Sequence, residues 1–396
     1  MNKKVLVINA GSSSIKLSLF EKDNLKLIAN GLAERIGLEN GLIKIKYNGN
    51  EHIKNVDMPN HKIGVKHILE LMEEIKLITD INEIEIIGFR VVHGGDFFKS
   101  AIRIGEDEIT KITQASIYAP LHNPGSLQAI RAFQEVMPNA KLSATFDTSF
   151  HTTIPEVNSI YPIPYEWTKK FSIKRYGAHG ISHDFITQKL EEILKKESVN
   201  FVNLHIGNGA SLCAVKDSKS IDTTMGLTPL AGVMMGTRSG DIDPSIHEFI
   251  ANELKLNIKE ITSELNKKSG LLGVSGVSND MRDIIQAIQD GNRQAQFAFD
   301  LYAQKIIDYT ALYLNKIGPN VDAIVFTAGV GENTPELRQK VCDQITYKKV
   351  VLDKNKNLGK IGEYELISTK DSEIKVYVIR TNEELLIAKN AISVWK

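Results

Sequence analysis

The chain writes one strand–turn–strand pattern twice, and the two copies lie half a chain apart. Val5 to Ile8 is a short β-branched run that ends in the turn Asn9-Ala-Gly-Ser-Ser-Ser14, and a second strand-like run, Ile15 to Phe20, follows. Phe201-Val-Asn-Leu-His-Ile206 enters the turn Gly207-Asn-Gly-Ala-Ser211 and leaves through Leu212 to Val215. Gly11 and Gly209 occupy equivalent places, 198 residues apart in a chain of 396. Runs of this kind flanking Gly/Ser turns read as hairpins, and their recurrence at half-length reads as two related halves. Glycine lets backbone N–H groups approach an anion closely and serine hydroxyls add donors, so each turn is a candidate phosphate cradle. Length agrees with two halves, because single cores stop growing near roughly 250–300 residues.

A third motif runs from the strand-like Ala323-Ile-Val-Phe-Thr327 through the turn Ala328-Gly-Val-Gly-Glu-Asn333 to Thr334-Pro335. Proline there predicts a helix N-terminus, whose free N–H groups favour an anion or a nucleotide. Strands alternating with amphipathic helices, such as 297–309, give an α/β class with two lobes. No low-complexity linker separates them, so the boundary is expected as a hinge near Phe146 to Pro155. We expect domains at 1–149 and 150–384. The last stretch, from Glu383 on, reads as a helix, and 385–396 could pack back on either lobe.

Charge excludes several partners. Lys plus Arg and Asp plus Glu each number 48, without a long basic block, which argues against nucleic acid and against a polybasic membrane patch. No stretch of about 18 apolar residues occurs, so no membrane-spanning helix is expected. The start, Met1-Asn-Lys-Lys-Val-Leu-Val-Ile8, imitates a signal peptide for a few residues only before Asn9 and the Gly/Ser run interrupt it. Cys213 and Cys342 stand in no metal spacing and read as reduced thiols, which points to the cytoplasm.

Walker A and GxGxxG patterns are absent, so a nucleotide would be held by the hairpin turns. Arg90 ends the apolar run Ile86-Ile-Gly-Phe-Arg90 and is followed by Val91-Val-His-Gly-Gly95. It is either a surface arginine on an edge strand or a site residue, since an arginine buried without a partner is costly. Arg238 lies in the glycine-flanked loop Met234-Met-Gly-Thr-Arg-Ser-Gly-Asp-Ile-Asp243. Two such guanidinium forks match a carboxylate and a phosphoryl group. His122 follows Ala119-Pro-Leu121, and His179, in a glycine turn, is either solvated or a donor to a phosphoryl oxygen. Asp147 at a strand end suits metal or substrate work, or a simple cap. Glu383 at a helix start reads on pattern alone as a dipole complement. The stripe 297–314 reads as core or subunit interface, and Met234-Met235 as packing.

Together these segments resemble the acetokinase family of the acetate and sugar kinase/Hsp70/actin superfamily. The likeness runs from Val5 to about Lys389 through Val7-Ile-Asn-Ala-Gly-Ser-Ser-Ser-Ile-Lys16, Arg90-Val-Val-His-Gly-Gly95, Ala119-Pro-Leu-His-Asn-Pro124, Phe146-Asp-Thr148, Arg175-Tyr-Gly-Ala-His-Gly180, His205-Ile-Gly-Asn-Gly-Ala-Ser211, Gly236-Thr-Arg-Ser-Gly-Asp-Ile-Asp-Pro244, Ala328-Gly-Val-Gly-Glu-Asn333 and Thr381-Asn-Glu-Glu384. It implies two actin-like (ribonuclease H-like) domains, the second binding nucleotide and dimerising. It also implies a homodimer and reversible phosphoryl transfer between ATP and acetate. Propionate or butyrate kinase is the alternative within that chemistry, and an actin-like ATPase or nucleotide sensor the alternative outside it.

The resemblance also implies residue roles. Asn9 and Glu383 would help hold Mg²⁺, with Mn²⁺ as an alternative ion. Ser12, Ser14 and Lys16, with His205, Gly207, Asn208 and Gly209, would line the ATP phosphates. Asp280, Met281 and Arg282, with Gly329, Val330, Gly331, Glu332 and Asn333, would surround the adenosine. Arg90 and Arg238 would bind the carboxylate and the phosphoryl group in transit, Asp147 would be the essential acid, and His179, supported by His122, would bond the transition state. Val92, Leu121 and Pro229 would wall the methyl pocket. Ala178 stands where the family usually has phenylalanine, which could enlarge that pocket for a longer acid.

Overall fold

The structure is a computed structural model that describes residues 3–396; Met1 and Asn2, at the head of the segment weighed against a signal peptide, lie outside the described residues. The chain divides into two compact units, one of residues 1–150 with 382–396 and one of residues 151–381. The division after Phe150 falls within a short 3₁₀ helix, Ser149–Thr153, and the last 15 residues rejoin the first unit.

The first unit is built on eight strands: β1 (Lys4–Ala10), β2 (Ser14–Glu21), β3 (Leu27–Glu34), β4 (Leu42–Tyr47), β5 (Asn50–Asn55), β6 (Ile84–Val91), β7 (Ile102–Arg103) and β8 (Lys141–Phe146). Their order is β5-β4-β3-β2-β1-β6-β8-β7. The second has six: β9 (Phe201–Ile206), β10 (Ala210–Lys216), β11 (Lys219–Thr223), β12 (Ala323–Thr327), β13 (Tyr364–Leu366) and β14 (Lys375–Ile379), in the order β11-β10-β9-β12-β14-β13.

The repetition seen in the sequence extends through both sheets. In each, an antiparallel hairpin (β1/β2, β9/β10) carries a third antiparallel strand on its outer side (β3, β11). On its inner side, two further strands run parallel to the first (β6 and β8, β12 and β14). Such parallel strands are covered on both faces and read as near-continuous apolar runs. Phe201–Ile206 and Ala323–Thr327 are buried at every position. Open parallel sheets bind ligands beyond the carboxyl ends of their strands. Those ends are 10–14, 90–92 and 147 in the first unit, and 206–210, 327–329 and 380–381 in the second.

Each unit has its own core. Leu6, Ile8, Ile87, Phe89, Ala144 and Phe146 belong to the first, and Val202, Leu204, Leu212, Ile324, Phe326 and Val378 to the second. Met234, Met235 and most of the apolar face of the helix Arg293–Ile317 pack into the second core, although Phe297 and Leu312 stay exposed. Both cysteines are free and buried. Among the described residues no helix is long and apolar enough to cross a membrane.

One reading needs adjusting. Arg90 is not on an edge, because β6 pairs with β1 on one side and β8 on the other. The turn Ala328–Asn333 is itself a short helix. Its own side chains close it: Glu332 Oε1 accepts from the Ala328 N–H at 2.9 Å, and Asn333 Nδ2 donates to the Gly329 carbonyl at 2.7 Å. The helix opened by Pro335 follows as a separate element, Pro335–Asp343.

The helix Glu383–Ser393 packs on β6, β1 and β8 of the first unit. Asn382 caps it by accepting from the Leu385 N–H at 3.0 Å. Gly88 permits the approach: a Cβ there would lie 3.0 Å from both Ala391 and Ile387 side chains. Past the helix, the Trp395 ring lies 4.6 Å under the Arg103 guanidinium.

Candidate active site

In the first unit, parallel pairing places Arg90 beside Thr145, and Asp147 follows as β8 ends. Arg90 donates from Nε to Asp147 Oδ1 at 3.0 Å and from Nη2 to Oδ2 at 2.7 Å, a two-pronged fit. Its remaining nitrogen, Nη1, stands 3.7 Å from Glu383 Oε2. Burial works against the Arg90 charge, but the Asp147 and Glu383 carboxylates outweigh it and hold the guanidinium above its ordinary pKa. Glu383 is pushed above the usual carboxylate range by burial, with Asp147 and Glu384 adding to the effect and Arg90 and Lys16 opposing it. This is an acidic cluster that one arginine does not fully neutralise.

The Gly/Ser turn between β1 and β2 leads to Lys16, which acts electrostatically on Glu383. Asn9 pairs with Lys16 across the β1/β2 ladder, and the Gly11 N–H closes the turn on the Ser14 carbonyl at 2.8 Å. Ser12 and Lys16 are exposed and Ser14 half-buried. His61, not anticipated from the sequence, holds the turn from behind, with Nε2 2.9 Å from the Gly11 carbonyl. His122 lies just before the helix Asn123–Val136. Asn123, also unanticipated, bonds the His93 N–H and carbonyl at 3.1 and 2.8 Å, tying that helix to the loop after β6. Val92 is half-buried and Leu121 exposed, both in this unit, whereas Pro229 belongs to the second.

In the second unit the equivalent turn is closed by the Gly207 N–H on the Gly209 carbonyl at 3.1 Å. A Cβ on Gly209 would lie 3.3 Å from Arg238 Nη1 and 3.6 Å from His179 Nε2, so the turn, the guanidinium and the imidazole converge. Arg238 bonds the Pro229 carbonyl through Nη1 at 3.3 Å, and no carboxylate among the described residues forms an ion pair with it. Burial alone moves it, lowering its pKa from the ordinary value. His179 adopts φ 55° just before the helix Gly180–Leu194 and stacks on His205 at 4.2 Å between centroids. His205 Nδ1 lies 2.8 Å from Ser182 Oγ, which lies 2.8 Å from Thr381 Oγ1.

Asn208 links this turn to its neighbours. Its Oδ1 accepts from Asn279 Nδ2 at 3.0 Å, and its carbonyl accepts from the Gly236 N–H at 2.9 Å. Asp280 caps the helix Met281–Gln289 and takes a fork from Arg282 at 3.0 and 2.6 Å, which holds its carboxyl down at about 2. Arg282 is exposed, while the Met281 side chain is buried in the core. Gly329 is exposed and Gly331 buried in the helical turn. Arg338, passed over in the sequence, is 1% exposed and donates to the carbonyls of Gly331 and Glu332, both at 2.9 Å, which fixes that turn. Ala178 is buried in the second core, and its carbonyl faces His151 Nε2 at 3.0 Å.

Glycine turns at the ends of parallel strands, a carboxylate–arginine cluster in one unit and an unpaired arginine beside a histidine in the other are the equipment of a kinase. The family model of the acetokinase family matches residues 4–389. An acetate kinase of Mycoplasmopsis pulmonis is 61% identical over 98% of each chain. The crystal structure of Porphyromonas gingivalis acetate kinase covers all of both chains at TM-score 0.95 and 39% identity. A propionate kinase from Francisella tularensis covers 99% of this chain and 100% of its own at TM-score 0.93 and 38% identity. The chain belongs to the acetokinase family. Its α/β fold is the two-domain actin-like fold of those structures.

Proposed function

We infer that this protein catalyses reversible phosphoryl transfer between ATP and acetate, giving ADP and acetyl phosphate. The observation that carries the reading is Arg238, a largely buried cation without a carboxylate partner, set against a glycine turn and His179. A cation held out of water calls for an anion. A transferring phosphoryl group supplies one, and the family to which the chain belongs favours transfer over mere nucleotide sensing.

A carboxylate is ionised near neutral pH and needs no general base. One acetate oxygen attacks the γ-phosphorus in line, the bond to the bridging oxygen breaks, and ADP leaves with the electron pair. The residues' work is to bring two anions together and to stabilise charge on the equatorial oxygens. Arg90, steadied by Asp147, presents Nη1 to the acetate, with Val92, Leu121 and Pro229 against the methyl group. Arg238 and His179 bond the phosphoryl oxygens, with His122 in support. Ser12, Ser14, Lys16, His205, Gly207, Asn208 and Gly209 line the phosphates. The segments 280–282 and 329–333 take the adenosine; Arg282, Gly329 and Asn333 are the exposed members, while buried Met281 acts as a floor.

Among the described residues no group of three or more His, Cys, Asp or Glu could hold a metal ion by itself. Asn9, Glu383 and the neighbouring Asp147 nevertheless suit Mg²⁺, which binds through one or two carboxylates plus phosphate oxygens and keeps several waters. The unneutralised charge at Glu383 supports that fit. When held by these residues, Mg²⁺ would offset the negative charge of the phosphates. Exposed Trp167, Phe171, Phe249 and Leu254 on the second unit support a homodimer, which we place in the cytoplasm.

Trapping acyl phosphate with hydroxylamine, using acetate, propionate and butyrate in turn, tests the reading. Acetate should give the highest kcat/KM. ATP loss without hydroxamate would point to an ATPase, a preference for propionate would move the protein toward its Francisella relative, and a stable phosphoenzyme would overturn direct transfer.

A further inference from the structure

Histidine donates from only one ring nitrogen when neutral, and His179 serves a phosphoryl oxygen only if the proton is on Nε2. We propose that a buried chain, Asn203–His183–Ser211, fixes His179 as its Nε2–H tautomer and so makes it a donor; the proposal rests on the phosphoryl-transfer reading above.

The chain is followed from its inner end. Asn203 Nδ2, which can only donate, lies 2.9 Å from His183 Nδ1, so that nitrogen is bare. His183 is fully buried, and burial, with His151 and His205 nearby, holds it well below the ordinary histidine pKa. It is therefore neutral, and its one proton is on Nε2. That nitrogen lies 2.9 Å from Ser211 Oγ and donates to it. The Ser211 hydroxyl, having accepted, turns its own proton to the other nitrogen in reach, His179 Nδ1, also at 2.9 Å. With Nδ1 accepting, neutral His179 carries its proton on Nε2, the atom that converges with Arg238 on the Gly209 turn.

Two features favour a built relay over incidental packing. Asn203, His183 and Ser211 are each 0% exposed, so water does not compete for these bonds. Ser211 also lies on β10 directly after the phosphate turn, so one hairpin sets both the backbone donors and the polarity of the imidazole. Only a hydroxyl can accept from one ring while donating to another; alanine or cysteine at 211 cannot do both well. Asn203, His183 and Ser211 are thus positioning residues that act through His179.

The test uses the full chain with Mg²⁺, ATP and acetate. Ser211→Ala should lower kcat by roughly 10²-fold, the scale of one lost transition-state donor, while KM for both substrates stays within about threefold. Ser211→Thr, which keeps the hydroxyl, should restore most of the rate. In long-range ¹H–¹⁵N spectra of histidine-labelled protein, the His179 signal (identified by its loss in His179→Gln) should show a pure Nε2–H tautomer in the native chain and a mixture in Ser211→Ala. A native Nδ1–H tautomer, which a reversed Asn203 amide would produce, overturns the relay. So does a Ser211→Ala protein with unchanged kcat. If Ser211→Ala does not fold, the native spectrum still decides. Hydroxamate formation with the wrong tautomer removes the relay alone, and the right tautomer without hydroxamate removes the reaction alone.

Discussion

Arg90 gives Asp147 two of its three nitrogens and turns the third toward Glu383, so the guanidinium arises on one strand, is gripped from the next and is aimed at a helix from the far end of the chain. Among the described residues no acid grips Arg238. The two arginines therefore differ in what their removal costs.

For Arg90 the cost is both structural and catalytic. A lysine cannot reproduce the fork, so Arg90→Lys should lower kcat/KM by roughly 10²-fold or more. Asp147→Ala leaves a largely buried cation without its main partner and should destabilise the protein by about 3 kcal/mol. Urea denaturation followed by circular dichroism measures the second effect, and an unchanged midpoint would contradict it.

Arg238→Ala should behave in the opposite way. With no ion pair to break, stability should change by less than about 1 kcal/mol, while kcat falls by roughly 10³-fold, the scale of an arginine acting on a phosphoryl transition state. Equal stability losses for the two arginines would show that the distinction is wrong.

Glu383→Gln removes one charge from a cluster already too acidic. Its carboxyl is held above the ordinary range, so the folded protein bears a cost for keeping it ionised at neutral pH. The variant should therefore melt no lower than the native protein without divalent ions. Added Mg²⁺ should raise the native Tm but not the variant's, and the variant's activity should drop by roughly 10²-fold or more. An equal Mg²⁺ response in both would move the metal elsewhere.

Acid stability should report the buried histidines. Burial lowers His151 to about 4, against about 6.5 in the unfolded chain. Between those values the unfolded state binds the extra proton, so stability is complete above about pH 6.5 and falls as pH drops toward 4, by about 3 kcal/mol from His151 alone. His183 shifts in the same direction. His151→Gln should flatten the stability curve in that window, read by denaturant midpoints at half-unit pH steps.

Ala178→Phe tests whether that position walls the acyl pocket. Its side chain belongs to the core, so the larger residue should overpack and cost about 1–3 kcal/mol, leaving the butyrate-to-acetate ratio of kcat/KM unchanged. A ratio that moves tenfold would return position 178 to the pocket.

Much of this was legible in the residues because it is local. The two Gly/Ser turns announce themselves, and Arg90 and Asp147 stand out as charges at the ends of apolar strands. Their pairing is not local, since 57 residues separate them and only the β6–β8 register brings them together. Arg338 looks like a surface residue in a polar helix, yet Asn357, 19 residues on, takes two of its bonds in the interior. Asn203 and Ser211 sit in apolar strands where nothing marks a polar side chain as part of a network. Two glycines make 328–333 read as a turn, whereas the Glu332 carboxylate, by accepting from the Ala328 N–H, lets it close as a helical one.

The helix Glu383–Ser393 completes the first unit although it follows the whole second unit in the chain. During synthesis, β1, β6 and β8 must wait with one face uncovered until nearly 400 residues have been joined. A ribosome that stops early thus releases a chain without Glu383 and with apolar surface open to proteases or chaperones. A chain that stops before Glu383 would lack both the cover over this sheet and the carboxylate proposed to hold the metal, and such a product should show no phosphoryl transfer.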